Sequence, residues 1–494
     1  MAISSGTVQG QTFSSFGFAQ EGKIFLGQQG LFYFAPAYPL SLLSSSASYN
    51  LAYIDFPSLK TQWYKSFEYL YRQENYQKTF IEIQTSDGQD VFIAGSTDSS
   101  FLFDRRVPWF KKRFIACFDV KGQLKWMKFF PGSSWYSSKI CFPDNDLLLL
   151  ERNDKSFALQ YLDKKTGNKK KANSFKVFSS LDIQKSKYLL VNDEIIHVVQ
   201  GVKKDREDLP ILHIRSYSLK GEERWFKEIY LSLDPLFKGL DSPYYLDSLF
   251  CHKKEDQYFL AGTFRCFGYR TEFRSFHFSL GSKGEMRWKE TYERDENTTI
   301  EAFILESNTL YLTGRKQKTS TESNPPENAL NDAEIYVKAL STDGELLWNI
   351  PVSEFSRTPF TLKPWPYDYI TFNMFLFFQD NQLMLFHTKI QEDDYPQNTL
   401  TLIQSDGSIL KEMTFPKSLK NSHDSFSSVN SNDKVPYINK ICDVQINNNT
   451  LYILSLTNDT KLQLLNPGQY EIISPVKLIP GSHYFHLLTV IELD

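Results

Sequence analysis

The sequence contains no run of about twenty apolar residues, so no helical segment in it is long enough to span a bilayer. Residues 1–11 are small and polar, with neither a basic start nor an apolar core, so no secretory signal is expected within them. Two localisations stay open. A chain whose native start is Met1 is expected in the cytoplasm, whereas a Met1 and Ala2 placed on a mature exported chain imply a bacterial periplasm, cell envelope or extracellular setting. Cysteine is scarce: Cys117, Cys141, Cys251, Cys266 and Cys442 are never adjacent and form no dense disulfide framework, which points to buried reduced thiols. Excess charge is lacking too. A formal net charge of −3 over 494 residues gives no electrostatic case for nucleic acid.

Signatures of chemistry are equally sparse. The eight histidines, His197, His213, His252, His277, His387, His423, His483 and His486, show no metal-binding pair at i, i+4 and no neighbouring cysteine cluster. There is no Gly-Lys-Ser/Thr phosphate loop, no HExxH and no nucleophile elbow. Asp87-Gly88-Gln89-Asp90 is too short for a calcium loop, and Lys169-Lys170-Lys171 reads as a solvated strand edge that discourages sheet pairing. No catalytic, cofactor-binding or metal-binding residue is therefore expected, and no cofactor.

What the chain does contain is a recurring pattern: a glycine, three residues, then a tryptophan. It occurs as Gly122 to Trp126, Gly221 to Trp225, Gly284 to Trp288 and Gly344 to Trp348, each after a strand-like run. A period of roughly 40 to 60 residues signals radial repetition or a solenoid. In Phe118-Asp119-Val120-Lys121-Gly122-Gln123-Leu124-Lys125-Trp126 a strand ends, turns at Asp/Gly and returns, which is a hairpin. Weaker copies stand at Asp163 to Gly167, Ser405-Asp406-Gly407 and Asn466-Pro467-Gly468, all without the tryptophan, and at Leu59 with Trp63, without the glycine.

An apolar run precedes each hairpin, from Lys23 to Gly27, Val91 to Gly95, Leu147 to Leu150, Ile195 to Gly201, Tyr258 to Gly262, Leu310 to Gly314, Leu383 to His387 and Leu451 to Ser455. A further apolar strand precedes each run, closed by turn residues such as Asn192-Asp193 or Asp380-Asn381. β-Branched and aromatic residues dominate, with 41 Phe and 27 Tyr, so the units are strands and not helices. The expected fold is all-β: a single β-propeller over residues 1–494, with about eight four-stranded antiparallel blades, or alternatively seven blades plus an appended sheet. The last apolar strand, Tyr484 to Leu493, is expected to pair with the first or last blade and close the circle.

The unit, as in Tyr161-Leu162-Asp163-Lys164-Lys165-Thr166-Gly167 and Ala339-Leu340-Ser341-Thr342-Asp343-Gly344-Glu345-Leu346-Leu347-Trp348, resembles the repeat of quinoprotein-like (PQQ-like) eight-bladed propellers. The resemblance covers nearly the whole chain through a short, degenerate motif. It implies that Trp63, Trp126, Trp225, Trp288 and Trp348 dock neighbouring blades together. The family includes quinone-dependent dehydrogenases and non-catalytic scaffolds. The dehydrogenases would need a vicinal Cys-Cys pair, which this chain lacks, so the resemblance favours the scaffold branch: a WD40-like interaction platform for a protein partner, as in a bacterial envelope assembly. The alternative is a propeller enzyme, or a glycan or small-ligand binder, with its site at the mouth of the central channel.

Binding is expected on the propeller face that carries the loops between second and third strands and the connections between blades. Insertions are expected there at 28–48, 97–112, 264–275, 315–332, 353–369 and 415–440. Phe32 and Phe34 lie in a run too apolar for a solvated loop, which either folds over the channel or forms a partner patch. Arg105, Arg106, Trp109 and Phe110 mix cations with aromatics, as do Arg265, Arg270 and Arg274 within 264–274. Solvated loops with snorkelling stems account for these segments about as well. Trp365, among Pro359, Pro364 and Pro366, offers a stiff aromatic platform, or simply a stiffened blade connection.

Overall fold

The computed structural model describes residues 22–37, 48–56, 61–68, 71–72, 75–76, 79–97, 101–102, 105–106, 112–130, 139–141, 146–153, 156–176, 186–203, 209–230, 244–267, 271–291, 297–317, 333–355, 374–390, 396–415, 439–447, 450–457, 470–478 and 482–492. Every regular element among them is a strand. Alternation of apolar and polar residues cannot bury a two-faced sheet alone, and here each sheet stacks its apolar faces on its neighbours. The cluster of Leu189, Ile196, Leu212, Trp225, Leu260 and Phe278, for example, joins sheet 186–230 to sheet 244–291.

Seven of the large sheets are four-stranded antiparallel blades, which corrects the expectation of about eight four-stranded blades. The remaining large sheet, spanning 297–355, has five strands, because Asn297–Thr298 and Ala302–Glu306 both pair with Thr309–Gln317. Its innermost strand is split at Thr299, Ile300 and Glu301, where Thr299 N–H donates to Arg315 O at 2.8 Å and Glu301 N–H to Thr313 O at 2.9 Å. The sheet contacts Thr271–Gly281 on one side and Phe375–Gln379 on the other.

The first strand of one sheet meets the first strand of the next along the chain: Lys23–Leu26 with Thr79–Ser86, Ser186–Val191 with Tyr244–Lys254, and Tyr244–Lys254 with Ala302–Glu306. Lys23–Leu26 also meets Asn439–Asn447, so the first and last sheets adjoin. Around this seam Ile24, Leu31, Tyr33, Ile54, Cys442, Tyr452 and Leu454 form one buried cluster, and Ile24 N–H donates to Asp443 Oδ2 at 2.9 Å. The first strands therefore line an inner wall, and the fold is a β-propeller. Its terminal strand, Ser482–Glu492, lies within the last sheet between Thr450–Thr457 and Tyr470–Leu478. The seam is made by side-chain packing between sheets.

The glycine hairpins join third to fourth strands. Gly122, Gly167, Gly221, Gly284, Gly344 and Gly407 all have positive φ, between 67° and 89°, which only glycine adopts without a Cβ penalty. Asp119 Oδ1 accepts from Lys121 N–H at 2.9 Å and Gln123 N–H at 2.8 Å, completing one such turn. A register shift follows each turn, as between Cys117 and Phe118 or Ala339 and Leu340, and swings the outer strand.

Each tryptophan packs on the turn of the following sheet. A Cβ added to Gly122, Gly167, Gly284, Gly344 or Gly407 would lie 2.5 to 2.8 Å from the indole of Trp63, Trp126, Trp225, Trp288 or Trp348 respectively. The indole N–H then donates to a turn carbonyl: Trp63 to Val120 O at 2.6 Å, Trp126 to Lys164 O at 2.9 Å, Trp288 to Thr342 O and Trp348 to Ser405 O, both at 2.8 Å. Trp225 instead meets Tyr258 edge-on, with ring centroids 5.3 Å apart. Glycine and tryptophan of one motif thus serve different interfaces.

Candidate functional site on the inner wall

Charged residues from three successive sheets converge on the inner wall. Asp247 sits at a bulge in Tyr244–Lys254, between Leu246 and Ser248, where the extra residue breaks the apolar alternation and re-aims a side chain. Its Oδ1 takes Arg265 Nη2 at 2.5 Å, from the adjacent strand Gln257–Phe267. Its backbone carbonyl accepts Lys187 Nζ at 3.3 Å, from the first strand of the preceding sheet. In the following sheet, Glu301 occupies the split of the innermost strand and pairs with Arg315, Nε to Oε1 at 3.0 Å and Nη2 to Oε2 at 3.1 Å.

Thr299 buttresses this pair. Its hydroxyl donates to Glu301 Oε1 at 3.2 Å and accepts Arg315 N–H at 3.1 Å, while its carbonyl accepts the Tyr336 hydroxyl at 2.9 Å. Arg265 and Arg315 stand near the ends of the second strands, and Asp247 and Glu301 near the beginnings of the first. That is the face of the ring where blade connections and second-to-third-strand loops lie.

Burial dominates the electrostatics here. It pushes the Asp247 carboxyl above the ordinary aspartate range, against the pull of Arg265 and Lys187, and raises Glu301 despite Arg315. It lowers the Lys187 amine to about 8, with Asp247 opposing and Arg265 reinforcing the shift. Paired acids and bases displaced toward their neutral forms at one place are the electrostatic pattern of binding and catalytic sites. The arrangement can exchange hydrogen bonds with an ionic ligand.

The opposite ends of the second strands carry ionic latches. Glu194, the first residue of its strand, is buried. Its Oε1 meets Arg224 and, at 2.6 Å, Lys253 of the next sheet; its Oε2 accepts Ser216 Oγ at 2.6 Å and the Tyr258 hydroxyl. Burial alone would raise this carboxyl, yet the hydrogen bonds from Lys253, Ser216 and Tyr258 hold it below the usual range. The same position gives Asp90 with Lys125 at 2.5 Å and Asp146 with Lys170 at 2.6 Å.

The residues expected to bind a partner fall in different places. Phe32 and Phe34 are wholly buried within Gly30–Ala37, so part of 28–48 is the second strand of a blade and not an insertion. Likewise, 264–275 continues the hairpin of Gln257–Phe267 with Thr271–Gly281. Arg265 joins the inner-wall cluster, and its guanidinium lies 5.7 Å from the Phe273 ring centre. Arg274 is buried, with its Nη1 donating to Phe273 O at 3.3 Å. Arg105 and Arg106 pair in backbone register with Leu102 and Phe101. Trp109, Phe110, Arg270 and Trp365 lie outside the described residues.

Lys187, Asp247, Glu301 and Arg315 escaped the sequence reading. They are spread over more than a hundred positions without a motif. The legible signal is an acid interrupting an apolar inner strand, as in Tyr245-Leu246-Asp247-Ser248-Leu249 and Ile300-Glu301-Ala302. Among the described residues, no group of three or more His, Cys, Asp or Glu is placed to hold a metal ion.

No family model and no curated protein matches the sequence. Solved structures do. The Dos1 propeller is 8% identical, with 95% of this chain and 93% of that chain covered and a TM-score of 0.45. The β-propeller domain of the Trilobed protease from Pyrococcus furiosus is 8% identical over 81% of this chain and 99% of that chain, at a TM-score of 0.38. The dihydro-heme d1 dehydrogenase NirN is 9% identical over 80% of this chain and 75% of that chain, at 0.33. All three are likenesses of fold.

Proposed function

We propose that this β-propeller is a non-enzymatic scaffold of the quinoprotein-like repeat type, which binds a protein partner on its loop-bearing face in a bacterial envelope or secreted assembly. The observation that carries the reading is the set of five tryptophans seated on turn glycines of the next sheet. They spend the chain's most distinctive motif on holding blades in fixed register, and a rigid ring presents loops at low entropic cost. A C-terminally tagged protein purified natively from its source cells should carry a stoichiometric partner on a processed N-terminus. Charge reversal at Arg105, Arg106 and Arg270 should release that partner without lowering the melting temperature. A lone, unprocessed monomer would overturn the reading.

A second reading, a small-ligand site at the channel mouth, is favoured by the convergence of Lys187, Asp247, Arg265, Glu301 and Arg315 on the inner wall. Melting-temperature shifts of the tagged protein across a library of metabolite acids and sugars separate it from a purely protein-binding role.

A further inference from the structure

The turns between third and fourth strands form a rim on the face opposite the loops, and that rim changes character around the ring. Three residues after the turn glycine stands a base in four successive sheets: Lys125, Lys170, Arg224 and Arg287. Three of these close on an acid that begins the second strand, Lys125 on Asp90 at 2.5 Å, Lys170 on Asp146 at 2.6 Å and Arg224 on Glu194. In the next two sheets the same position holds Leu347 and Leu410, and the second strands begin with the neutral residues Thr309 and Gln382. The latch has been replaced by leucine.

These leucines are not absorbed by the fold. Leu346 is 57% exposed, Leu347 51%, Ile409 44% and Leu410 50%. Between the two pairs, the half-buried Trp348 seats its indole on Gly407, so both flank one contact between sheets. Apolar side chains left in water contribute no burial, and a group of them marks a contact surface. The charge around them changes in step. The residue before the turn glycine is Lys121, Lys220 or Lys283 in earlier sheets, but Asp343 and Asp406 here, with Glu345 after Gly344. Among the described residues Asp343, Glu345 and Asp406 have no ion pair, and Asp406 Oδ1 takes only neutral donors, Ser408 N–H at 2.8 Å and the Ser408 hydroxyl at 2.7 Å. Lys411 and Glu412, which follow Leu410, add no net charge. An apolar surface edged by acids repels anionic lipid and attracts cationic side chains.

The shape of the occupant follows from the strand edges. Register shifts at Ala339/Leu340 and Leu402/Ile403, with Pro351 in the first outer strand, interrupt the backbone edges, so side chains and not an added strand must make the contact. Four half-exposed side chains also fall well short of the roughly 800 Å² per partner of a stable dimer. A short helix with an apolar stripe between Lys or Arg side chains fits both limits. We propose that the turn rim of sheets 297–355 and 375–415 docks a basic amphipathic helix of a protein partner. Its stripe lies on Leu346, Leu347, Ile409 and Leu410, and its cations meet Asp343, Glu345 and Asp406. This surface is on the opposite side from the loops and is independent of the binding proposed there.

The test is fluorescence anisotropy of a labelled leucine–lysine helical peptide, with leucine along one face, titrated with the full-length protein. A scrambled peptide of the same composition, which forms no stripe, and a leucine–glutamate counterpart are the controls. Saturable binding about tenfold tighter than either control is expected. Leu347→Lys with Leu410→Lys puts back the base of the earlier sheets, and should weaken binding about tenfold at an unchanged melting temperature. Leu347→Asn with Leu410→Asn serves if the lysine pair does not fold. Asp343→Asn with Asp406→Asn should flatten the salt dependence of binding. Equal affinity of the parent and both leucine variants overturns the proposal, as does equal binding of the scrambled peptide, which reports charge alone. Two further results overturn it in favour of another occupant: self-association in sedimentation velocity that the leucine variants abolish identifies a second copy, and flotation with phosphatidylglycerol vesicles that they abolish identifies a membrane.

Discussion

The hydroxyl of Tyr161 donates to the carbonyl oxygen of Leu219 at 2.7 Å, bridging sheet 139–176 to sheet 186–230. Leu219 stands two residues before Gly221, where Val120, Thr342 and Ser405 stand before Gly122, Gly344 and Gly407 and accept an indole N–H. The position that holds Trp63, Trp126, Trp225, Trp288 and Trp348 in five other units is Lys171 here, and Tyr161 is its cross-strand partner. A tyrosine on the third strand has replaced a tryptophan on the fourth. Tyr161→Phe should cost about 1 kcal/mol, one net hydrogen bond, in denaturant unfolding. The swap Tyr161→Ser with Lys171→Trp should restore an indole latch and recover that loss.

The tryptophan latches differ in depth. Trp126 and Trp225 are only 5% and 6% exposed, while Trp63 and Trp348 are half-buried. Trp126→Ala and Trp225→Ala should each lose about 3 to 5 kcal/mol in urea titrations, and Trp348→Ala clearly less. Gly407→Ala should cost as much as Trp348→Ala or more, since φ is 89° and the new methyl would meet the Trp348 ring.

Glu194 is the hub of a latch with four donors. Glu194→Gln keeps the shape but leaves Arg224 and Lys253 without their anion, and should destabilise by roughly 3 to 5 kcal/mol. Its folded-state pKa is lowered, so the ionised form is the stabilising one. Its contribution is fully present above the unfolded value near 4.5 and is lost as pH falls below it. The variant should therefore flatten the acid limb of the melting profile measured by circular dichroism.

Asp443 behaves in the opposite sense. Burial raises it from 3.8 to about 6, although Ile24 N–H and Val444 N–H bond to it. The folded protein then holds a proton that the unfolded chain has released, so stability falls as pH rises from about 4 to 6 and the deficit persists above. Asp443→Asn keeps an acceptor for Ile24 and removes the titration. It should match the parent near pH 4 and exceed it at pH 7 by on the order of 1 to 3 kcal/mol by differential scanning calorimetry. An unchanged difference between the two pH values would remove this account of the seam.

The sequence by itself determined the local grammar. Asp/Gly turns, alternating apolar strands and the glycine-to-tryptophan spacing encode hairpins, because positive φ and strand periodicity are decided within a few residues. A docking role for Trp63, Trp126, Trp225, Trp288 and Trp348 was implied only by the resemblance of the repeat. Tertiary structure decided what depends on residues far apart in the chain. Phe32 and Phe34 read as an apolar loop until strand pairing with 48–55 placed them in a core. The fifth strand of sheet 297–355 arises from a break at Thr299 to Glu301 that only its pairing with Thr309–Gln317 reveals. Lys187, Asp247 and Glu301 meet because neighbouring first strands converge on the inner wall, and their protonation is governed by burial, which no spacing along the chain encodes.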